Sequence, residues 1–513
     1  MTTKQLDFDA CYVAVSARDA RFDGRFYTAV TSTGIYCRPI CPARTPARKN
    51  VRFYRHAATA EAAGFRPCRR CRPELSPGDP GWDVRADLVG RALRLIDDGL
   101  ADERGVAGLA QRLHVTERHL LRLFVAELGT GPLAVARTRR LLLAKQLLTE
   151  TPLPITDVAF AAGFGSVRQF NAAMKESYGF APGELRKAAG PLASSRTAPA
   201  ITTGLTLRLA YRRPYDAQTV LGFLAARAIP GVETATWSAP ADGGAAQVTG
   251  FSRAVPGGRI TLTPADDHIR LTVRTCDTRH LARIVARCRR LLDLDADPGA
   301  ITAVLGSTGL APLVGEHPGL RVPGAFDGFE LAVRAVVGQQ ISVAGARTLL
   351  GHIVARAGSP AVPDALPYAA PDALPDVAPG PEPDPTRPGG EPALLFPTAE
   401  RLADADLTGL GLTDRGIAAL KNLARAVIDQ DIDLDGAEDP ADTAARLLEI
   451  PGIGPWTTGY IALRALGDPD AWPEGDLGLT RAMTRLRIPA EQIERWRPWR
   501  AYAAVHLWNA DAA

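Results

Sequence analysis

Four cysteines, Cys37, Cys41, Cys68 and Cys71, sit near the N-terminus as two close pairs separated by one folded loop. No other feature limits so strongly what this part of the chain can fold into. Two pairs with short internal spacing can close a tetrahedral metal site, and tetrathiolate zinc is the default for such a pattern. The apolar stretches beside them, Phe26-Tyr27-Thr28-Ala29-Val30 and Val51-Arg52-Phe53-Tyr54, read as small strands broken by turns. Strands this short bury too little core to stand alone, so one Zn2+ is expected to hold the unit together.

The charge around the thiols points at a polyanion. Residues 1–75 carry 14 Lys/Arg against 6 Asp/Glu, although the whole 513-residue chain is only +4. Arg38, Arg44, Arg48, Arg52, Arg66, Arg69, Arg70 and Arg72 surround the cluster and are expected to hold a phosphate against it. His56 is expected on the surface, because four sulfurs already fill a tetrahedron. The remaining cysteines, Cys11, Cys276 and Cys288, are scattered. No disulfide framework is expected in a chain read as cytoplasmic, where thiols stay reduced. That location follows from two absences. Met1-Thr2-Thr3-Lys4-Gln5-Leu6-Asp7 lacks a signal-peptide core, and no apolar run reaches the length of a membrane span.

The length suggests about three or four domains, and the expected fold class is multidomain α+β. Residues 1–78 form the small zinc-bound α/β domain. Residues 81–188 are helical by apolar period and contain two similar half-repeats, Gly105 to Leu120 and Ile155 to Phe170. Each reads as a helix, a tight turn and a second helix, with Thr116 and Ser166 as N-caps and a long connector from Leu133 to Leu148. A linker of Ala, Ser, Gly, Thr and Pro follows at 189–203. Residues 204–316 form a small α+β layer, in which Leu205–Leu209 and Ile269–Val273 alternate like strands. Tyr215 to Arg227 and Thr278 to Leu292 read as its helices. From 317 to 513 the chain is all-α, apart from an insertion at about 358–394 that is too rich in Pro, Ala, Asp and Gly to build a core and reads as disordered.

In the last unit, Leu448-Glu449-Ile450-Pro451-Gly452-Ile453-Gly454-Pro455-Trp456-Thr457-Thr458 reads as helix, Gly-rich turn, helix. Gly452 and Gly454 free backbone amides to approach a phosphate at a helix N-terminus. Asp476 follows Trp456 by twenty positions.

Three resemblances sharpen this reading. The stretches Thr33–Pro39, Pro42–Pro46, Asn50–Tyr54 and Ala63–Pro73 resemble the N-terminal domain of the Ada methylation-response family. That resemblance implies that zinc-bound Cys37 accepts a methyl group irreversibly from a DNA methylphosphotriester. The loss of a thiolate charge would then strengthen DNA binding. Ada proteins often end in a second methyltransferase domain with a Pro-Cys-His-Arg core. No such core occurs here, so repair of O6-methylguanine is not expected.

The two half-repeats resemble an AraC-type domain, which implies two helix-turn-helix units with their second helices, about 116–126 and 166–177, in the major groove. Arg118, His119 and Arg122, then Arg168, Gln169 and Asn171, are the candidate contacts.

Residues 204–513 resemble the helix-hairpin-helix glycosylases of the 3-methyladenine glycosylase II (AlkA) type. This rests on Tyr215-Asp216, Leu221–Ala228, Val337–Ala344, the hairpin with Asp476, Trp496–Tyr502 and His506-Leu507-Trp508. It implies Asp476 as the catalytic carboxylate and Tyr460, Trp508, Trp456 and Phe223 around a flipped base. The apolar wedge of that family falls at Gln340, with Ile341 as its substitute. Members that also cut the backbone carry a Lys where Trp456 stands, so a monofunctional enzyme leaving an abasic site is expected. A monovalent cation at the hairpin turn is a further expected cofactor. Double-stranded DNA, alkylated and promoter, is the expected partner, together with RNA polymerase, for a monomer with no membrane association. Nucleoid association is expected of a bacterial DNA-binding chain. The alternative from another class is a transcription regulator whose C-terminal half binds DNA without catalysis.

Overall fold

The computed structural model describes residues 6–19, 22–76, 88–189, 204–238, 246–339, 341–362 and 390–512. The linker at 190–203, most of the insertion and Gln340 lie outside the described residues.

The N-terminal unit opens with α1 (Phe8–Ala17), capped by the Asp7 side chain, which accepts from Ala10 N. Strands β1 (Tyr27–Val30), β2 (Ile35–Cys37) and β3 (Val51–Tyr54) follow, then α2 (Ala57–Ala62) and β4 (Arg66–Pro67). The sheet order is β3-β1-β2-β4. β4 runs parallel to β2, with Tyr36 opposite Pro67. This register makes Cys37 and Cys68 leave their strands side by side at the same end. Only small apolar clusters support the unit, one of Tyr27, Ala29, Tyr36, Ala57, Ala60 and Phe65, another of Cys11, Ala14, Val15 and Phe26. That is the regime in which a metal contributes folding energy.

The helical unit comprises α3 (Leu88–Asp97), α4 (Leu100–Arg112), α5 (Glu117–Leu128), α6 (Pro132–Glu150), α7 (Ile155–Ala161), α8 (Val167–Tyr178) and α9 (Pro182–Ala189). Thr116 Oγ1 accepts from His119 N and Ser166 Oγ from Gln169 N, each at 3.2 Å, so both second helices start at the capping residues named from sequence. Each ends at a glycine in the left-handed region, Gly129 or Gly179. α6, 19 residues long, carries Leu141, Ala144, Leu147 and Leu148 into the core. The N-terminal unit is bolted to it. Buried Lys145 Nζ donates to Cys68 O (3.1 Å) and Glu74 Oε2 (2.7 Å). Thr138 Oγ1 donates to Glu61 Oε2 (2.7 Å), and Arg72 pairs with Glu150 (2.8 Å).

Next come β5 (Leu205–Ala210), α10 (Ala217–Ala226), β6 (Glu233–Ser238), β7 (Gln247–Val255), β8 (Gly258–Pro264) and β9 (His268–Thr275), in an antiparallel sheet ordered β5-β9-β8-β7-β6. Leu205, Leu207 and Leu209 lie opposite Val273, Leu271 and Ile269, all six side chains buried, as period-two alternation requires. Helices α11 (Leu281–Leu291), α12 (Pro298–Leu305) and α13 (Ala311–Glu316) complete this part.

The C-terminal part holds α14 (Gly328–Val337) and α15 (Val343–Ala357), then β10 (Ser359–Pro360) paired antiparallel with β11 (Leu394–Leu395). The chain thus leaves and re-enters the helical layer at one point. Helices α16 (Ala399–Asp404), α17 (Asp414–Ile428), α18 (Pro440–Glu449), α19 (Pro455–Ile461), α20 (Leu477–Arg485) and α21 (Arg500–Ala512) follow. Ion pairs tie the N-terminal units to the C-terminal half: Arg25 with Asp297, and Arg112 with Asp433 at 3.0 Å. Arg212 Nε also donates to Asp23 O (3.0 Å). Among the described residues no helix is long and apolar enough to cross a membrane.

Candidate metal centre and active site

The four sulfurs, Cys37, Cys41, Cys68 and Cys71, lie within 4.8 Å of one another. A tetrahedron with Zn–S bonds of about 2.3 Å has S–S edges of roughly 3.8 Å. The cluster needs to contract only slightly, so these residues fit one Zn2+. The sulfurs are not equivalent. The Arg38 peptide N–H donates to Cys71 Sγ (3.3 Å), that of Arg70 to Cys68 Sγ (3.4 Å), and that of Ala43 bonds to Cys41. No described backbone N–H donates to Cys37 Sγ. A hydrogen bond draws electron density from a thiolate, so Cys37 is the sulfur left with the most. Cys37 and Cys41 are half-buried, whereas Cys68 and Cys71 are buried.

The surrounding arginines divide into two groups. Arg38 is bound to Asp23 through Nε (2.9 Å) and Nη2 and to Cys71 O through Nη1 (3.1 Å), and Arg72 is held by Glu74 and Glu150. These two serve the fold rather than a phosphate, which corrects the sequence expectation. Arg48 pairs with Asp9 and lies over the Phe8 and Tyr12 rings while staying solvent-exposed. Arg44, Arg52 and Arg70 are exposed, as are Arg66, whose Nη1 reaches Tyr178 O (3.4 Å), and Arg69, stacked 3.8 Å from the Phe180 ring centroid. His56 is half-buried rather than free on the surface. It caps α2, its Nδ1 accepting from Ala58 N (3.2 Å), and burial holds its pKa down at about 4.

On the helix-turn-helix units, Arg118, Arg122, Arg168, Gln169 and Asn171 are exposed along α5 and α8. Arg122 Nη2 bonds to half-buried His119 Nδ1 at 2.9 Å.

In the C-terminal half, α18, a tight turn and α19 form the hairpin. Gly452 has φ +98°, and a Cβ there would meet Ala419 Cβ at 2.7 Å, so the turn demands glycine. Gly454 opens α19 with nothing within 4 Å of its would-be Cβ. Gln339 Nε2 donates to Gly452 O (3.1 Å) and Thr457 Oγ1 (2.6 Å), pinning the hairpin to the end of α14. A monovalent cation at this turn would have to share the Gly452 carbonyl with that amide.

Asp476 caps α20, its Oδ1 accepting from Leu479 N at 2.9 Å. Two indoles also grip it: Trp456 Nε1 donates to Oδ2 (2.7 Å) and Trp508 Nε1 to Oδ1 (3.1 Å). The Trp456 ring stacks on Tyr460, with centroids 5.4 Å and planes 21° apart, and Tyr460 tilts against Trp508 at 5.9 Å. The carboxylate therefore borders a group of packed, half-buried aromatic rings. Phe223 lies beside this group, but its ring faces guanidiniums: Arg227 stands 3.6 Å and Arg464 4.9 Å from its centroid. Ile341 is 41% exposed at the start of the loop into α15.

Sequence reasoning missed Gln339, Arg227 and Arg464 as site residues. Each arginine follows an aromatic of the group by four positions, Phe223 then Arg227 and Tyr460 then Arg464, which on a helix puts them on one face. That spacing was the available signal.

A thiol sensor, paired helix-turn-helix units and a helix-hairpin-helix glycosylase fold on one chain define a DNA-repair protein that also regulates transcription. Three family models match in order: the metal binding domain of Ada over residues 10–74, a helix-turn-helix domain over 109–188 and the AlkA N-terminal domain over 206–327. A Mycobacterium tuberculosis protein named "Probable bifunctional transcriptional activator/DNA repair enzyme AlkA" is 44% identical over 510 residues, covering 98% of this chain and 96% of that one. DNA-3-methyladenine glycosylase 2 of Escherichia coli is 33% identical over 317 residues, 59% of this chain and 96% of the relative. The E. coli bifunctional transcriptional activator/DNA repair enzyme Ada is 42% identical over 136 residues, 26% of this chain and 37% of the relative. The chain belongs to the family of bifunctional transcriptional activator/DNA repair proteins in which an Ada-type N-terminal half is joined to an AlkA-type glycosylase.

Proposed function

We propose that the C-terminal half hydrolyses the N-glycosidic bond of N-alkylated purines such as 3-methyladenine and leaves an abasic site. The observation that carries this is the double indole grip on Asp476 at the edge of that aromatic group. A base inside a duplex is out of reach, so the nucleotide is extruded, with Ile341 the exposed apolar side chain that fills the gap. Trp456, Tyr460 and Trp508 offer π faces to the alkylated base. An N-alkylated purine is already cationic and leaves as a neutral base, so it needs little protonation. Asp476 stabilises the positive charge growing on the sugar and takes the proton of the attacking water. Trp456 has no amine to form a Schiff base, so no strand cut follows. Gly452 and Gly454 let the hairpin amides approach the DNA backbone.

The N-terminal half is proposed to accept a methyl group from a methylphosphotriester. Cys37 Sγ attacks the methyl carbon, the S–C bond forms, and the phosphodiester leaves with the C–O electron pair. When bound, Zn2+ keeps the sulfurs in their thiolate form. The product thioether carries one negative charge fewer, so attraction to DNA rises. Arg44, Arg48, Arg52 and Arg70 meet phosphate in this reading, which their exposure supports. With α5 and α8 in adjacent major grooves, Arg118, Arg122, Arg168 and Gln169 read a promoter, and RNA polymerase is the partner of a cytoplasmic, nucleoid-associated monomer.

The test is base release from methylated duplex DNA by the native chain and Asp476→Asn. Release by the native chain and its loss in the variant, with duplex binding intact, support the reading. Equal release by both proteins, or none by the native chain, leaves the C-terminal half a DNA-binding module.

A further inference from the structure

Two guanidiniums that the reaction above does not use lie against Phe223 and Tyr460 of the aromatic group. Arg464 lies in a π-helical turn, 462–466, directly after α19, and is buried. Its Nη1 donates to Tyr460 Oη (2.7 Å), Nε to Pro323 O (2.7 Å) and Nη2 to Gly324 O (3.1 Å). Arg227, at the C-terminal end of α10, donates to Phe223 O (3.3 Å) and bonds to the Tyr460 side chain. All these acceptors are uncharged. Arg334, whose Nη1 donates to Arg227 O (2.9 Å), belongs to a separate network in which Glu233 and Glu330 are buried with Arg253 and Arg334 as their partners. Among the described residues neither Arg227 nor Arg464 pairs with a carboxylate.

Unbalanced buried charge is costly, and a fold that keeps it beside a pocket sets the potential inside that pocket. Two neighbours register the positive field. Burial and the adjacent cations push Arg227 down from its ordinary range. Burial would raise the Tyr460 phenol, but Arg464 and Arg227 outweigh it and hold that phenol below its usual range. The field also conflicts with the aromatic group it borders. Stacked indoles favour a cationic base, whereas two fixed guanidiniums repel one.

We infer that Arg227 and Arg464 determine selectivity between lesion classes, favouring release of bases that are uncharged in DNA relative to the cationic ones the aromatic group favours. This rests on the glycosylase reading. When the C1′–N bond breaks, its electron pair stays on the base. An uncharged base departs as an anion and afterwards takes a proton from water. The guanidiniums attract this growing negative charge and lower the barrier. A cationic base departs neutral, so its repulsion is greatest before the bond breaks. For that class the arginines weaken binding and speed the chemical step, with little net change in kcat/KM. Arg227 is the residue to vary, because Arg464 also fastens the 323–324 segment.

The experiment uses the full chain and two duplexes, one with a single hypoxanthine (uncharged) and one with a single 7-methylguanine (cationic). Arg227→Leu lowers the hypoxanthine to 7-methylguanine ratio of kcat/KM about tenfold, and lowers KM for the cationic base. Arg227→Lys, which keeps the charge, holds the ratio within about threefold of the native value. Arg227→Gln, which can still bond to Phe223 O, falls with the Leu variant and excludes simple loosening of α10. Equal losses on both duplexes in the Leu and Gln variants, or a ratio that rises, overturn the inference. If the native chain releases neither base, it is the glycosylase reading that has failed. If it releases both and the ratio does not move with charge, only the selectivity argument falls.

Discussion

Trp456 Nε1 stands 2.7 Å from Asp476 Oδ2, so the first turn of the hairpin's second helix supplies a donor that orients the carboxylate. Through α19 the hairpin is proposed to do two jobs: its glycines are to meet the duplex backbone, and the helix's second residue, Trp456, bonds to the acid. Trp456→Phe keeps the ring that stacks on Tyr460 and deletes this donor. A hydrogen bond to a charged group contributes about 1.5–3 kcal/mol, so kcat for release of an alkylated purine should fall roughly 10- to 100-fold. KM should move little, because the stacking face survives. Single-turnover kinetics on methylated duplex measure both, and a variant with unchanged kcat would show that Trp508 and Leu479 N hold the acid unaided.

At the sensor, the unequal hydrogen bonding of the sulfurs supports the proposal that Cys37 is the acceptor. After incubation with methylphosphotriester DNA, peptide mass spectrometry should find the methyl group on Cys37 alone. The labelled protein should bind promoter DNA about tenfold more tightly than the unlabelled protein at low salt, with the gain shrinking as salt rises. A label on Cys41, Cys68 or Cys71 would contradict the argument from backbone donors.

What the sequence made legible, and what it hid, follows from range. The cysteine pairs, the caps Thr116 and Ser166 and the Leu205–Leu209 alternation are local patterns, and each has its structural counterpart. β6 and β7 escape a local reading because Thr, Gly and Arg interrupt their apolar alternation, and they are strands by virtue of long-range pairing across the sheet; β8 does alternate, but only Ile260 and Leu262 carry the pattern. The same limit explains Arg38 and Arg72. Composition marks them as basic, but only the fold brings Asp23 to one and Glu150 to the other. Gln339 bonds to a turn 113 positions away, a contact that no spacing rule reports.

His56 gives the N-terminal unit a specific acid sensitivity. Its folded pKa, lowered from 6.5 to about 4 by burial, means that the native state holds the imidazole neutral. A depressed folded pKa contributes stability that is fully present above the unfolded value and is lost as pH falls toward the folded one. The unit should therefore lose on the order of 2 kcal/mol between about pH 6.5 and 4. His56→Asn retains a capping acceptor for Ala58 N and removes the titration. Hydrogen exchange at the α2 amides, followed against pH, should show a flatter profile in the variant. A slope identical to the native one would place the sensitivity elsewhere, as at His506, which burial also holds at about 4.

The two hairpin glycines should separate stability from DNA binding. Gly452 combines φ +98° with Ala419 Cβ 2.7 Å from a would-be Cβ. Alanine there is both strained and crowded, and Gly452→Ala should cost about 2–3 kcal/mol and displace the turn that Gln339 holds. Gly454 has an ordinary φ of −107° and open space around its Cβ position. Gly454→Ala should therefore leave the thermal midpoint within about 2 °C of the native value. If the open space is where a backbone phosphate approaches the α19 N-terminus, the added methyl blocks it. Binding to undamaged duplex should then weaken about tenfold, a loss of ~1.4 kcal/mol, with folding intact. Calorimetry paired with fluorescence anisotropy reads the two effects separately. A Gly454→Ala protein with native duplex affinity would mean that DNA does not approach through this turn.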